Sequence, residues 1–179
     1  VLNDNIKTTF NAISCDGDTS TNDMVSLFST NKAKNPIIKK ANDSRLKSFN
    51  KAVHEVLLNL AKQVAFDGEG ASKFITINSV KCKSDKDAKN ISFSIANSLL
   101  VKTAIAGEDP NWGRIAMAIG KSSANIDEKK LSIFIGPYKI FFKGSLYKKY
   151  DELKVSEYMK NESIEITADI GMGNKNFTA

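Results

Sequence analysis

Histidine occurs once in the 179 residues, at position 54, and cysteine twice, at positions 15 and 82. A structural zinc site takes four nitrogen or sulfur ligands, usually with a C-x-x-C pair among them, and this chain has neither the number nor the spacing. The cysteines read as free thiols in a reducing compartment, and no metal is expected. With no serine or cysteine motif to pair with it, His54 reads as an ordinary residue on a helix flank. Arginine is almost as scarce: only Arg45 and Arg114 stand among 26 basic residues. A net charge of +6 and a pI near 9.2 raise the question of a nucleic-acid partner. Groove readers and single-strand channels, however, combine arginine forks with exposed aromatics. Here lysines alternate with acids in SDKDAKN, DEKK and LYKKYDELK, which is the pattern of a solvated surface. No apolar run approaches the roughly 18 residues of a membrane span, and no charged-then-apolar leader opens the chain. Because Val1 is not an initiator methionine, residues are expected to precede it.

What the chain does have is enough apolar residue for a core. With 41% hydrophobic content it fits one domain over residues 1 to 179, able to bury roughly 70% of its unfolded surface. FNAIS (10 to 14) alternates like a short strand, and Ser20, Thr21 or Asn22 is placed to cap a helix over DMVSLFST. A lysine-rich loop containing Pro36 follows. Leu46, Phe49, Val53, Val56, Leu57, Leu60 and Val64 recur at helical spacing and predict a helix over 44 to 66, stopped by Asp67-Gly68. FITINSV (74 to 80) predicts a β-branched strand. Ser84 with Asp87 resembles a capping box before a second long helix whose face is Ala88, Ile91, Ile95 and Leu99. LSIFI (131 to 135) and YKIFF (138 to 142) flank Gly136-Pro137 as a hairpin, and a short helix near 155 to 160 precedes the strand SIEITADIG. Without repeats or a linker, these elements predict an α+β fold, helices packed on a mainly antiparallel sheet.

Three segments are dense in groups that carry chemistry. Asp16, Asp18, Ser20 and Asp23 invite a calcium reading, but the sixth and twelfth places from Asp16 hold Thr21 and Leu27 where glycine and glutamate are required. A turn whose short polar side chains satisfy backbone groups fits better. In DGEG, Glu69 follows a helix C-terminus, where a carboxylate faces the negative end of the dipole at roughly 0.3–1 kcal/mol. Between two glycines it can present itself to a cationic ligand or simply sit in a solvated turn. In GEDPNWGRI (107 to 115), Asp109 is placed as N-cap and Pro110 as first helical residue. The free N–H groups of that turn, with Asn111 and Arg114, can hold an anion. The structural alternative has Trp112 as a core anchor, Gly113 at a close-packing position and Arg114 paired with Asp109.

FNAISCDGDTSTNDMV, AKQVAFDGEGASKFI, LVKTAIAGEDPNWGRIAMAIG and ITADIGMGNKNFTA together resemble, in order and over nearly the whole chain, the β chain of the ornithine acetyltransferase family. That family comprises the bifunctional glutamate N-acetyltransferases of arginine biosynthesis. The resemblance implies a layered α/β sandwich of the self-processing amidohydrolase-like type. It implies a precursor that cleaves itself before a threonine, leaving an α chain and a β chain associated as a pair of αβ units. It implies acetyl transfer from N-acetylornithine to glutamate through that threonine, with acetyl-CoA as a further donor in bifunctional members and no resident cofactor. Glu69 matches the substrate-binding glutamate. Asn111 and Arg114 stay open between anion-binding and structural roles. The nucleophile is expected outside these residues, so none of them is assigned to catalysis, and the chain alone is expected to be inactive. The implied location is the cytoplasm, or an organelle matrix in a eukaryote. An inactive or truncated β fragment and a basic nucleic-acid-binding module are the alternatives.

Overall fold

The computed structural model describes residues 1–40 and 43–179. These fall into two compact units, Val1–Ile13 with Asp18–Ala65 and Ser14–Gly17 with Phe66–Ala179.

The first unit is built around one long helix. It opens with α1 (Leu2–Asn5) and two 3-10 turns, Ile6–Thr8 and Phe10–Ala12, and ends in α2 (Leu46–Phe66), whose last residue lies in the second unit. FNAIS is therefore not a strand. The Ala12 N–H donates to the Thr9 carbonyl at 2.9 Å, and an alternation only five residues long does not separate a strand from a turn. The helix expected over DMVSLFST is also absent, with Met24 83% and Phe28 86% exposed. Ser20 Oγ accepts from the N–H groups of Asn22 and Asp23, which commits this stretch to a polar turn. An eight-residue helix rich in Ser and Thr needs an apolar partner to hold it, and among the described residues Met24 and Phe28 are not covered by one. The lysine-rich segment carries no regular structure over 34–40, and its positions 41 and 42 lie outside the described residues.

The periodicity over 44 to 66 does produce a helix, but not the expected burial. Only Leu57 and Ala61 are buried on α2, while Phe49, Val56, Leu60 and Val64 are 45% to 60% exposed. These four recur at seven, four and four residues and form an apolar stripe open to solvent.

The second unit holds the sheet and the core. Strands β1 (Phe74–Cys82), β2 (Ser132–Ile135), β3 (Tyr138–Phe142), β4 (Ser145–Leu146), β5 (Ser163–Asp169) and β6 (Lys175–Thr178) lie in the order β4-β3-β2-β5-β1-β6. All described pairings are antiparallel except β1 with β5, where Ile75 sits beside Ile164 and Ile77 beside Ile166. Because successive side chains alternate, this register lines Ile75, Ile77, Ile164, Ile166 and Ala168 along one face, continued by Ile133 and Ile135 of β2. The opposite face mixes Phe74, Val80 and Phe134 with polar residues, among which Thr178 donates to Asn78 and Asn78 to Glu165.

Four helices bury their apolar residues with that sheet face: α3 (Asp85–Ala96), α4 (Leu99–Ala106), α5 (Trp112–Gly120) and α6 (Glu152–Met159). Each fully buried isoleucine contributes about 1.5–3 kcal/mol by leaving water. Ser84 caps α3 by accepting from the Asp87 N–H. The expected long second helix stops at Ala96, however, and Ser98 caps a new one, accepting from the Val101 N–H. The break turns Leu99 out of the core face, leaving it 74% exposed.

Candidate functional site

Glu69 occupies a tight turn between α2 and β1. The Ala71 N–H donates to the Gly68 carbonyl at 2.9 Å, and Gly70 has φ +72°. A residue at the third place of such a turn must adopt positive φ, which glycine does without a Cβ penalty. Glu69 thus stands at the tip, exposed, and among the described residues its carboxylate makes no hydrogen bond or ion pair. The base of the loop is closed by the rings of Phe66 and Phe74, stacked at 4.3 Å and 3°. Phe74 is itself anchored, its N–H donating to the Glu162 carbonyl at 2.7 Å.

Lys73, two residues beyond that turn in the same loop, has a side chain only 11% exposed. Its ammonium lies 2.9 Å from Glu108 Oε1 and 3.1 Å from each of the carbonyls of Met159, Lys160 and Asn161. Those carbonyls form the C-terminus of α6, where a cation complements the helix dipole. Glu108 lies in the corner after α4. The Asp109 N–H donates to the Ala104 carbonyl and the Glu108 N–H to the Ile105 carbonyl, the paired bonds of a Schellman helix stop. The left-handed residue of that stop is normally glycine, yet here it is Glu108 at φ +56°, with Gly107 just before it at φ −85°. A non-glycine residue there costs about 1–2 kcal/mol.

The remainder of GEDPNWGRI serves the start of α5. The helix begins at Trp112, and its cap is Asn111, which accepts from the Arg114 N–H at 3.2 Å. Asp109 is not the N-cap: its carboxylate instead accepts from Asn111 Nδ2 at 3.1 Å and orients the capping amide. Arg114 does not pair with Asp109 either. Its Nη1 donates to the Leu100 carbonyl and to Thr103 Oγ1, both at 2.9 Å, tying α5 to α4. Trp112 packs against the core and stacks on Phe141 at 5.2 Å. A side chain added at Gly113 would meet only Asn111 Oδ1, at ordinary contact distance, so close packing does not explain that glycine.

The acidic turn near Asp16 packs locally: Ser14 Oγ donates to Asn97 at 2.6 Å, and the Lys102 ammonium donates to the Cys15 carbonyl. Among the described residues no group of histidine, cysteine, aspartate and glutamate is placed to hold a metal ion. No described helix is long and apolar enough to cross a membrane. A separate open cleft of about 690 Å³ lies between α3, α4 and α5, lined by Asn90, Phe93, Asn97, Leu100, Met117 and Lys121 among others. Glu69, Asn111 and Arg114 do not line it. Lys73 and Glu108 were not singled out by sequence reasoning. No local signal marks them, because the pair spans 35 residues and the left-handed conformation of Glu108 shows only in the fold.

A single sheet carrying helices on its apolar face, with a glycine-framed acidic turn after α2, is a mixed α+β fold. The chain belongs to the ArgJ family, whose sequence model matches residues 1–179. It is 48% identical over 176 residues to the arginine biosynthesis bifunctional protein ArgJ of Bradyrhizobium diazoefficiens, covering 97% of this chain and 43% of that protein. It is 47% identical to the ArgJ of Nitrobacter winogradskyi, covering 97% and 42%. The crystal structure of ArgJ from Bacillus halodurans superimposes with a TM-score of 0.93 at 35% identity, over 99% of this chain and 83% of that one. The chain thus spans less than half the length of the curated relatives it matches.

Proposed function

We propose that this chain is the β portion of a glutamate N-acetyltransferase that moves acetyl from N-acetylornithine to glutamate, with acetyl-CoA as an additional donor. The reading rests on the family match along the whole chain. The observation that supports Glu69 as its binding residue is the turn itself, a carboxylate without a partner on a loop closed by the Phe66–Phe74 stack. Glu69 binds the ammonium end of the amino-acid substrate. Asn111 and Arg114 take the structural reading here, Asn111 because it caps α5 and Arg114 because its Nη1 ties α5 to the Leu100 carbonyl and Thr103, with the Nε and Nη2 donors of Arg114 left over. The nucleophile comes from outside these residues, and no resident cofactor or metal is required.

The partner in this reading is an α chain from the same precursor, in a pair of αβ units within the cytoplasm or an organelle matrix. The solvent-open stripe of Phe49, Val56, Leu60 and Val64 supports it, since exposed apolar stripes of this kind mark protein contacts. Relatives more than twice as long have the additional chain to cover it.

The test is acetyl transfer from N-acetylornithine to glutamate by the copurified αβ enzyme, with and without Glu69→Ala. Loss of a charge-assisted contact predicts a fall in kcat/KM of about tenfold to a hundredfold. Unchanged kcat/KM in the variant would remove Glu69 from the site. Failure of the unaltered enzyme to transfer acetyl would remove the function.

A further inference from the structure

We propose that Lys73 and Glu108 are positioning residues for Glu69, an inference that rests on the substrate-binding reading of that carboxylate. The turn that carries Glu69 is framed by Gly68 and Gly70, the residues that lose most backbone freedom on ordering. Such a turn at the end of a helix needs an anchor if its tip is to hold one geometry. The Phe66–Phe74 stack and the Phe74 N–H bond to the Glu162 carbonyl fix its base on β1, but neither reaches the tip that carries Glu69.

Lys73 supplies that anchor. A surface lysine normally extends its ammonium into water, and holding it removes much of its rotamer freedom. This one is drawn in to 11% exposure, four residues after Glu69, among one carboxylate and three carbonyls. The three carbonyls alone would satisfy its three protons, so capping α6 does not require Glu108.

Glu108 is the informative member. It takes a left-handed backbone conformation that glycine would adopt freely, although Gly107 is its immediate neighbour. Backbone strain of this kind persists where something else fixes the residue. Here the two bonds of the helix stop set the backbone, and the 2.9 Å ion pair to Lys73 holds the side chain. The pair locks the turn after α2 to the corner before α5, so the position of the Glu69 carboxylate depends on two charges, neither of which meets substrate.

The two roles of Glu108, backbone corner and clamp, separate in one substitution. Glu108→Gly relieves the left-handed strain while deleting the carboxylate. In the copurified αβ enzyme we expect Glu108→Gly to raise the KM for N-acetylornithine about tenfold, with kcat nearly unchanged and no loss of thermal stability. Lys73→Arg should retain most of the affinity that Lys73→Met loses. In a Glu69→Ala background, Glu108→Gly should shift KM less than twofold, because there is no carboxylate left to position. Hydrogen exchange at the Ala71 amide should quicken in Glu108→Gly and Lys73→Met but not in Glu69→Ala.

An unchanged KM in Glu108→Gly, or a rise that persists undiminished in the Glu69→Ala background, overturns the proposal while leaving Glu69 in the site. An unchanged KM in Glu69→Ala alone removes the substrate-binding reading and the proposal with it. The single variants thus distinguish the two failures.

Discussion

Phe66, the last residue of α2, and Phe74, the first of β1, stack face to face at 4.3 Å and 3° across the loop that carries Glu69. The loop is therefore pinched at its base although its tip is solvent-exposed. Such ring pairs contribute about 0.5–1.5 kcal/mol beyond the area they bury. A double-mutant cycle of Phe66→Leu and Phe74→Leu, read by denaturant unfolding, should show a coupling energy in that range. Additive losses would show that the rings act independently.

Two glycines with positive φ separate strain from collision. Gly70 has φ +72° and nothing within 4 Å of where a Cβ would stand, so Gly70→Ala should cost only the left-handed penalty of about 1–2 kcal/mol. Gly136, at the β2–β3 turn, has φ +53°, and a Cβ there collides with the ring of Tyr158. That ring is fixed, its hydroxyl accepting from the Glu165 N–H at 3.1 Å. Gly136→Ala should therefore lower the melting temperature clearly more than Gly70→Ala. Equal shifts would show that Tyr158 moves aside freely.

At the start of α5, Asn111→Ala removes the cap and should destabilise the protein by about 1 kcal/mol, whereas Asn111→Ser should recover most of that loss. Arg114→Ala should lower stability by releasing Leu100 and Thr103 while leaving substrate KM unchanged. A large rise in KM with the fold intact would restore Arg114 as an anion-binding residue.

The thiols should behave differently. Cys15 is exposed, while Cys82 is fully buried and its thiol is pushed up to about 11, first by burial and then by the nearby Asp87 and Asp169. At pH 8 only about one Cys82 in a thousand carries thiolate, the reactive form. Iodoacetamide should therefore label Cys15 alone in the folded protein. The same shift sets a direction for stability. Below the ordinary thiol value of 9.0 the group is protonated in both states and its burial contributes in full. Between about 9 and 11 the unfolded chain ionises first, so this contribution falls as pH rises. Cys82→Ala should flatten that alkaline loss relative to the unaltered chain, and an unchanged slope would assign the loss to other groups.

The sequence by itself determined those elements whose signals are local. The span of α2, the strand at 74 to 80, the Ser84 cap, the hairpin over 131 to 142 and the α+β class were legible, because periodicity, capping and β-branching act within a few residues. The Glu69 turn was legible as well, from two glycines following a helix, and the family from four segments in order. Tertiary structure decided the rest. FNAIS and DMVSLFST carry patterns too short to fix a conformation without a packing partner. Leu99 left its predicted face because Ser98 capped a new helix. The start of α5 moved from Asp109 to Asn111 because Asn111 accepts from the Arg114 N–H while the Asp109 carboxylate accepts from the Asn111 side chain. The β1–β5 parallel pairing joins residues 89 apart in register, Ile77 beside Ile166 among them, and so has no local signal. The Lys73–Glu108 clamp is of the same kind, an ion pair across 35 residues whose glutamate sits in a backbone conformation that sequence alone assigns to glycine.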